Sequence, residues 1–335
     1  MASLRSLALD LGLSITTVSR ALDGYQDVAA TTRERVAKAA AAAGYRPNSA
    51  ARRLRKGSSE TIALVMPTEP GRFYEPVFVD LLSVIGERLA ARHYDLMLLA
   101  ARPGADETAA YARIIKDRRA DACIVVRTRR HDERIAMLQA AGLPFVCHGR
   151  TETRTPYVYV DGDGETGFRE ITSRLIGLGH GRIAHLGAPD VFTFAELRAR
   201  GWHMAMRAAG LADDLKTICA STEEAGEAAA SALLAGPDRP TALICATDRI
   251  AIGAVRAAQA AGLIVGRDIA VTGHDNIHAS GFTNPAVTTM ELDVRSVGEC
   301  LADKLLCLIE NGMPDRPGEI FQLRHVLRAS SGEAD

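Results

Sequence analysis

Asp10-Leu11-Gly12-Leu13-Ser14-Ile15-Thr16-Thr17-Val18-Ser19-Arg20-Ala21-Leu22 reads as the turn and second helix of a helix-turn-helix. Gly12 permits the tight turn, Leu13 fills the space beneath it, and Ser14 is a good N-cap for the helix that follows. Val18 and Leu22 are spaced to face inward, which leaves Thr16, Thr17, Ser19 and Arg20 on the outside. Small hydroxyl side chains and an arginine suit a helix pushed into a DNA major groove, its N-terminal residues at base edges and its flanks at phosphates. Ile15 stays open: it either extends the apolar stripe of Val18 or points outward at a thymine methyl.

Before this stretch, Ser3 can cap a first helix that carries Leu4, Leu7, Ala8 and Leu11 on one face. After it, Thr31 and Glu34 have the spacing of a capping box, and a nearly pure alanine run stops at Gly44. Tyr45 and Pro47 mark the exit. Residues 48–57 then combine an N-cap (Asn48), small residues such as Ala51, one large apolar residue (Leu54) and four cations, among them Arg52.

The formal charge of −1 conceals an asymmetry, because residues 1–58 hold ten Lys or Arg against four acids. That is +6 at the front and −7 behind it, and a basic head on an acidic body points to a polyanion partner for the head alone. A merely solvated basic surface would give the same count. The six cysteines form no CxxC pair, and four lie in apolar runs, so they read as small core residues of a cytosolic protein and not as disulfides or metal ligands. No signal-like start and no run near the roughly 18 apolar residues of a membrane span occurs, so export and membrane insertion are not expected.

From residue 61 the pattern changes. Short apolar runs at 61–66, 96–100, 122–126, 143–147, 183–186, 242–245 and 269–272 read as buried parallel strands, separated by helices near 77–92, 106–118, 132–141, 165–178, 194–209, 222–235 and 248–261. Repeated βα units specify open doubly wound sheets, here enough for two, with a break near 160–164. Ligands of such sheets bind beyond the C-terminal strand ends, so two facing sheets make a cleft. Phe73, Tyr74, Phe192 and Phe194 fall in loops after strands, where aromatic rings can stack on a sugar or purine face or simply pack in the core. His148 and His274 also end strands and could donate to hydroxyls, or be polar surface.

The head resembles that of the LacI/GalR family of bacterial transcriptional regulators. The residues that carry the likeness are Thr17-Val18-Ser19-Arg20-Ala21-Leu22, Thr32-Arg33-Glu34-Arg35-Val36, Gly44-Tyr45-Arg46-Pro47-Asn48 and Ala51-Arg52-Arg53-Leu54. The body resembles the same family and the periplasmic sugar-binding proteins, through Leu178-Gly179-His180-Gly181-Arg182, Leu197-Arg198-Ala199-Arg200-Gly201-Trp202, Thr247-Asp248-Arg249-Ile250-Ala251, Val271-Thr272-Gly273-His274-Asp275 and Asn284-Pro285-Ala286-Val287.

The resemblance implies an α/β protein with a helix-turn-helix head at 1–47, a hinge helix and linker at 48–60, and a two-lobed effector-binding and dimerisation body at 61–330. Lobe 1 would hold about 61–160 and 290–318, and lobe 2 about 161–289 and 319–330, with a helix near 294–310 leading back to lobe 1 before a return at 320–323. It further implies DNA contacts from Ser14, Ile15, Thr16, Thr17, Ser19 and Arg20, and from the hinge residues Asn48, Ala51, Arg52 and Leu54, with Leu54 wedged into the minor groove. Physics agrees on the hinge, since about seven residues fall well short of the roughly 12 to 15 that make an isolated helix even marginal in water.

By the same likeness, Arg198 and Asp275 grip an effector, and Thr247 stands where the family usually has Asn. With His148 and the four aromatic residues they form the candidate effector site. Two departures in the head are Asp23, where Asn is commoner, and Ala29, where Ser commonly caps the third helix and Thr31 could substitute. The expected function is a cytoplasmic repressor, dimeric or larger, that binds double-stranded operator DNA under control of a small molecule, a carbohydrate before a purine or another metabolite.

Three other readings fit the sequence less well. Gly162-Asp163-Gly164-Glu165-Thr166-Gly167 fits a dinucleotide fingerprint, but Asp161 and Asp163 would set carboxylates beside a pyrophosphate, so no cofactor is expected. A sugar-cleaving enzyme would need two of Asp161, Asp163, Asp248 and Asp275 paired, which the sequence does not do. A transport protein would lack the head.

Overall fold

Hydroxyl caps and a glycine set the first turns of the chain. Ser3 caps α1 (Leu4–Leu11) by accepting from the Ser6 N–H at 3.1 Å, while the Ser6 hydroxyl oxygen accepts from the Ser3 N–H at 2.9 Å. Gly12 closes that helix at φ 62, and Ser14 opens α2 (Ile15–Leu22) by accepting from the Thr17 N–H. The third helix, α3 (Ala30–Ala42), begins earlier than the sequence signal implied. Its N-cap is Ala29 with no side-chain hydrogen bond, so Thr31 lies inside the first turn and the expected Thr31–Glu34 capping box does not form. Leu7, Ala8, Val18, Ala21, Val28, Val36 and Ala40 make the small core of this head.

The structure, a computed structural model, describes residues 3–45, 57–68 and 76–332. The hinge segment with Asn48, Ala51, Arg52 and Leu54, and the loop residues Phe73 and Tyr74, lie outside the described residues. The chain divides into two compact units, residues 1–59 and 60–335, and the second contains two lobes.

The first lobe is built on a parallel sheet in the order β11-β5-β4-β3-β1-β2, with β1 Thr61–Pro67, β2 Asp95–Ala101, β3 Ala122–Val125, β4 Phe145–His148, β5 Val158–Gly162 and β11 Gly318–Phe321. Both faces are covered, as near-continuous apolar strands require. Ile62 and Leu64 meet Leu81, Ile85 and Leu89 of α4 (Pro76–Ala90) and Val297, Leu301 and Leu305 of α11 (Val294–Asn311). The alternate residues Ala63 and Val65 meet Tyr111 and Ile114 of α5 (Ala105–Lys116) and Ile135 and Leu138 of α6 (Glu133–Ala140).

The second lobe repeats this plan around β7-β6-β8-β9, namely Lys216–Ile218, Ile183–Gly187, Ala242–Cys245 and Ala270–Thr272. Helices α9 (Glu223–Leu234) and α10 (Asp248–Ala260) cover one face, and α7 (Gly164–Gly177) and α8 (Thr193–Ala208) cover the other. The chain crosses between lobes three times, after β5, between β10 (Thr289–Glu291) and α11, and between β11 and β12 (Arg324–Val326), which pairs antiparallel with β10. The return falls within the expected 320–323, and only the lobe boundary drawn at about 318 to 319 moves later. Strand β11 still belongs to the first sheet through its register with β5, and the chain crosses at 322–323.

The glycine pattern at 162–167 has a packing cause. Asp163 caps α7 by accepting from the Thr166 N–H at 3.1 Å, and a Cβ on Gly167 would press on Leu323 at 2.7 Å. Gly162 and Gly167 make room for Leu323 at the crossing, and Gly164 for the Arg198 side chain.

Candidate functional site

In the head, Ser14 and Thr16 are exposed, and Thr17 is half-buried with its hydroxyl 2.8 Å from that of Ser14. Ile15 is 46% exposed, so it is not part of the apolar stripe and stands on the outer face. Ser19, expected outside, is only 4% exposed: it follows Val18 on the inward side of the helix, and its hydroxyl donates to Asp23 one turn on, at 3.3 Å. Arg20 does project outward. Its Nε donates to Asp27 Oδ1 at 3.3 Å, its Nη2 donates to Asp27 Oδ2, and its guanidinium lies 4.6 Å from the Tyr25 ring centroid.

In the body, the C-terminal ends of β3, β4 and β5 face the N-termini of α9 and α10 and the end of β9 across a cavity of about 370 Å³. This is where a doubly wound sheet places ligands. His148, Phe194, Arg198, Thr247 and Asp275 all line it, as do Arg127, Thr128, Asp161, Ser221, Glu223, Arg249 and His274. Phe192 does not. It stacks on Phe194 with ring centroids 5.6 Å apart, and the Arg127 guanidinium lies 4.9 Å from its centroid, so it backs the aromatic wall.

Arg198, one turn before the buried Trp202 on α8, donates to the Ala246 carbonyl and lies 4.8 Å from the Phe194 ring centroid. Its Nη2 is 3.3 Å from His274 Nε2, and His274 Nδ1 is 2.6 Å from Asp275 Oδ1. An arginine can only donate, so Nε2 of His274 accepts and its Nδ1–H is left to donate to Asp275. Burial and the charge of Arg198 push the His274 pKa down, consistent with a neutral ring. Burial works against ionisation of Asp275, but His274, Arg198 and Arg127 together hold its carboxyl below the ordinary range. The result is a fixed chain of donor, relay and carboxylate acceptor.

Thr247 caps α10, its hydroxyl oxygen accepting from Ile250 N–H at 3.4 Å, which leaves the hydroxyl proton to give away. Asp248 faces away from ligand chemistry, accepting from the Thr289 hydroxyl at 2.5 Å and the Ile277 N–H at 2.9 Å. Burial and the nearby Asp275 push its carboxyl up to about 6. Asp161 pairs with Arg150 at 2.7 Å and Asp163 caps α7, so the four candidate catalytic acids are each engaged separately.

A buried ionic cluster shapes the lobe 1 wall. Arg134 is 1% exposed, pairs with Asp132 and Glu107, and donates to the carbonyls of Val126 and Arg127 at 3.2 and 3.0 Å. This fixes the loop after β3 with Arg127 at φ 53; across the cavity Asp275 is also in the positive region, at φ 108. The same loop touches the second lobe, where Thr193 N–H donates to the Thr128 carbonyl at 3.1 Å and Arg130 N–H to that of Val191 at 3.3 Å. Sequence reasoning missed Arg127, Ser221, Glu223 and Arg249. Their position just past strand ends or at helix N-termini was the available signal.

The family model for periplasmic binding proteins and the sugar binding domain of the LacI family matches residues 59–320, and that for bacterial regulatory proteins of the lacI family matches 3–48. The chain belongs to the LacI family. It is therefore a DNA-binding transcriptional regulator and not an enzyme. The HTH-type transcriptional regulator RafR of Escherichia coli is 37% identical over 315 residues, 93% of this chain and 94% of that protein. AglR of Rhizobium meliloti (strain 1021) is 37% identical over 339 residues, 99% of this chain and 95% of its own length.

Among LacI-family structures, the CelR–cellobiose complex superposes with TM-score 0.76 at 28% identity, covering 98% of this chain and 100% of that one. The lac repressor dimer bound to operator and the anti-inducer ONPF gives 0.86 at 25% identity, covering 98% and 99%. Among the described residues no helix is long and apolar enough to cross a membrane.

Proposed function

We propose that this LacI-family regulator is a cytoplasmic, dimeric repressor whose grip on operator DNA is released by a small neutral sugar bound between the lobes. The observation that carries the reading is the Arg198–His274–Asp275 chain, which sets a multiple donor beside an ionised acceptor, the pairing that adjacent sugar hydroxyls satisfy. Phe194 supplies a ring face beside it. Neutrality follows from the wall: Arg127, Arg198 and Arg249 are balanced by Asp161, Glu223 and Asp275, leaving no surplus cation for a phosphate. The cellobiose in the CelR complex supports the class of ligand.

In the head, Ser14, Thr16, Thr17 and Arg20 meet the operator from the exposed side of α2, with Ile15 on the same face, and Leu54 of the hinge wedges between bases. Dimerisation pairs the two heads on a pseudo-palindrome, a reading supported by the likeness to the lac repressor dimer bound to operator. The test is a thermal-shift screen of neutral mono- and oligosaccharides, their phosphates and purines on the full chain, since a ligand of the folded state raises its melting temperature by mass action. A neutral sugar should give the largest shift and should release operator DNA in an anisotropy assay. A shift from phosphates or purines alone would refute the ligand class.

A further inference from the structure

We infer that Asp27 is a specificity-determining residue: it holds the Arg20 guanidinium by one edge so that the other edge is presented to a guanine. The inference rests on the reading of Arg20 as a base contact and adds a residue to it. Asp27 sits outside α2, in the loop that leads to α3, and its two carboxylate oxygens take the Nε and Nη2 hydrogens of Arg20. Nη1 makes no hydrogen bond among the described residues. A guanidinium has two edges that fit a bidentate acceptor, and the carboxylate occupies the side edge. The end formed by Nη1 and Nη2 remains, which is the geometry that meets O6 and N7 of guanine in the major groove.

The loop is fixed well enough to aim the side chain. Arg33 of α3 donates to the carbonyls of Tyr25, at 3.2 Å, and Val28, and Tyr25 N–H donates to the Arg20 carbonyl at 3.0 Å. The Tyr25 ring lies 4.6 Å from the guanidinium carbon, limiting its swing. Arg20 and Asp27 are 43% and 56% exposed, so the pair contributes little to folding and a change at Asp27 is read mainly in DNA binding. A carboxylate so near a phosphate backbone also repels it, which lowers affinity for DNA of any sequence.

The experiment begins by selecting bound sites from a random pool of double-stranded DNA with the full-length wild type. Affinities of wild type, Arg20→Ala, Asp27→Asn and the double variant are then measured on the selected site, on that site with each guanine replaced by 7-deazaguanine, and on random DNA. At one guanine, wild type should lose about tenfold on 7-deaza replacement, the size of a good base contact. Asp27→Asn should lose most of that sensitivity while binding random DNA at least as tightly, and the double variant should show no further loss beyond Arg20→Ala. Unchanged melting temperatures verify folding. If Asp27→Asn keeps the full guanine sensitivity, or strengthens selected and random DNA equally, Asp27 is only a repulsive charge and the inference fails. If Arg20→Ala leaves every guanine sensitivity intact, the base-contact reading itself fails and the role of Asp27 falls with it.

Discussion

Arg198 and Asp275 illustrate how much a single side chain can be worth when its neighbours fix its charge. Arg198→Ala should abolish the operator-release response to the sugar while leaving operator affinity without effector within about threefold, an expectation checked by anisotropy titrations with and without ligand. Asp248 belongs to the same strand-end cluster but acts on stability. Its folded-state pKa, near 6, lies above its ordinary value, so its contribution is fully present below about pH 4 and is lost as pH rises through 6. Compared with Asp248→Asn, the wild type should lose up to about 3 kcal/mol of relative stability between pH 4 and pH 7, measured by denaturant melts at both pH values. That Arg198 and Asp275 come together in the cleft was legible through the family pattern of their neighbours. Asp27 was not, because only the loop between α2 and α3 brings it to Arg20, seven positions away. Ser19 was misplaced for a related reason: the helical period places it at the edge of the inward face, and the edge is where burial depends on what packs there.

At the scale of elements, the strands with long apolar runs and the helices between them were readable because both faces of each sheet are covered. β7, β10 and β12 were not, since their three residues lack the continuous apolar run that marked β9, which is equally short, and β5 and β11 were likewise not among the runs read as strands. The cluster of Arg134, Asp132 and Glu107 was equally hidden, because charged residues on a helix read as a solvated face until the fold encloses them. Arg134→Met should cost about 3–5 kcal/mol by denaturant melts, since it leaves two buried carboxylates with less compensation. It should also weaken sugar binding, because the carbonyls of Val126 and Arg127 lose the group that shapes their loop. A loss of stability with unaltered sugar affinity would show that the loop holds its form without the cluster. Gly201 shows the same dependence on neighbours: a Cβ there would run into the Glu165 carbonyl, so α7 and α8 pack backbone to backbone.

For the molecule as a whole, two lobes joined by three crossings and a return within 320–323 were foreseeable from the count of βα units and the family pattern, while the membership of β11 in the first sheet depended on its pairing with β5. The single tryptophan offers a reading of the whole body's response. Trp202 is buried, stacks on His185 with ring centroids 5.7 Å apart, and stands one turn from Arg198 on α8. Sugar binding should change its emission in a saturable way, with the midpoint matching that of operator release. Saturation at different concentrations would separate the cleft from the regulatory event.

The backbone hydrogen bonds from Thr193 to Thr128 and from Arg130 to Val191 tie the two walls together beside the cavity. A latch of this kind would make residence time partly a property of the protein: the proposed sugar is expected to leave at the rate at which these two bonds open. Amide hydrogens of Arg130 and Thr193 should then exchange more slowly with sugar bound, in step with the dissociation rate measured by stopped flow. The regulator would hold its signal after the sugar outside has fallen, a short memory written in two hydrogen bonds.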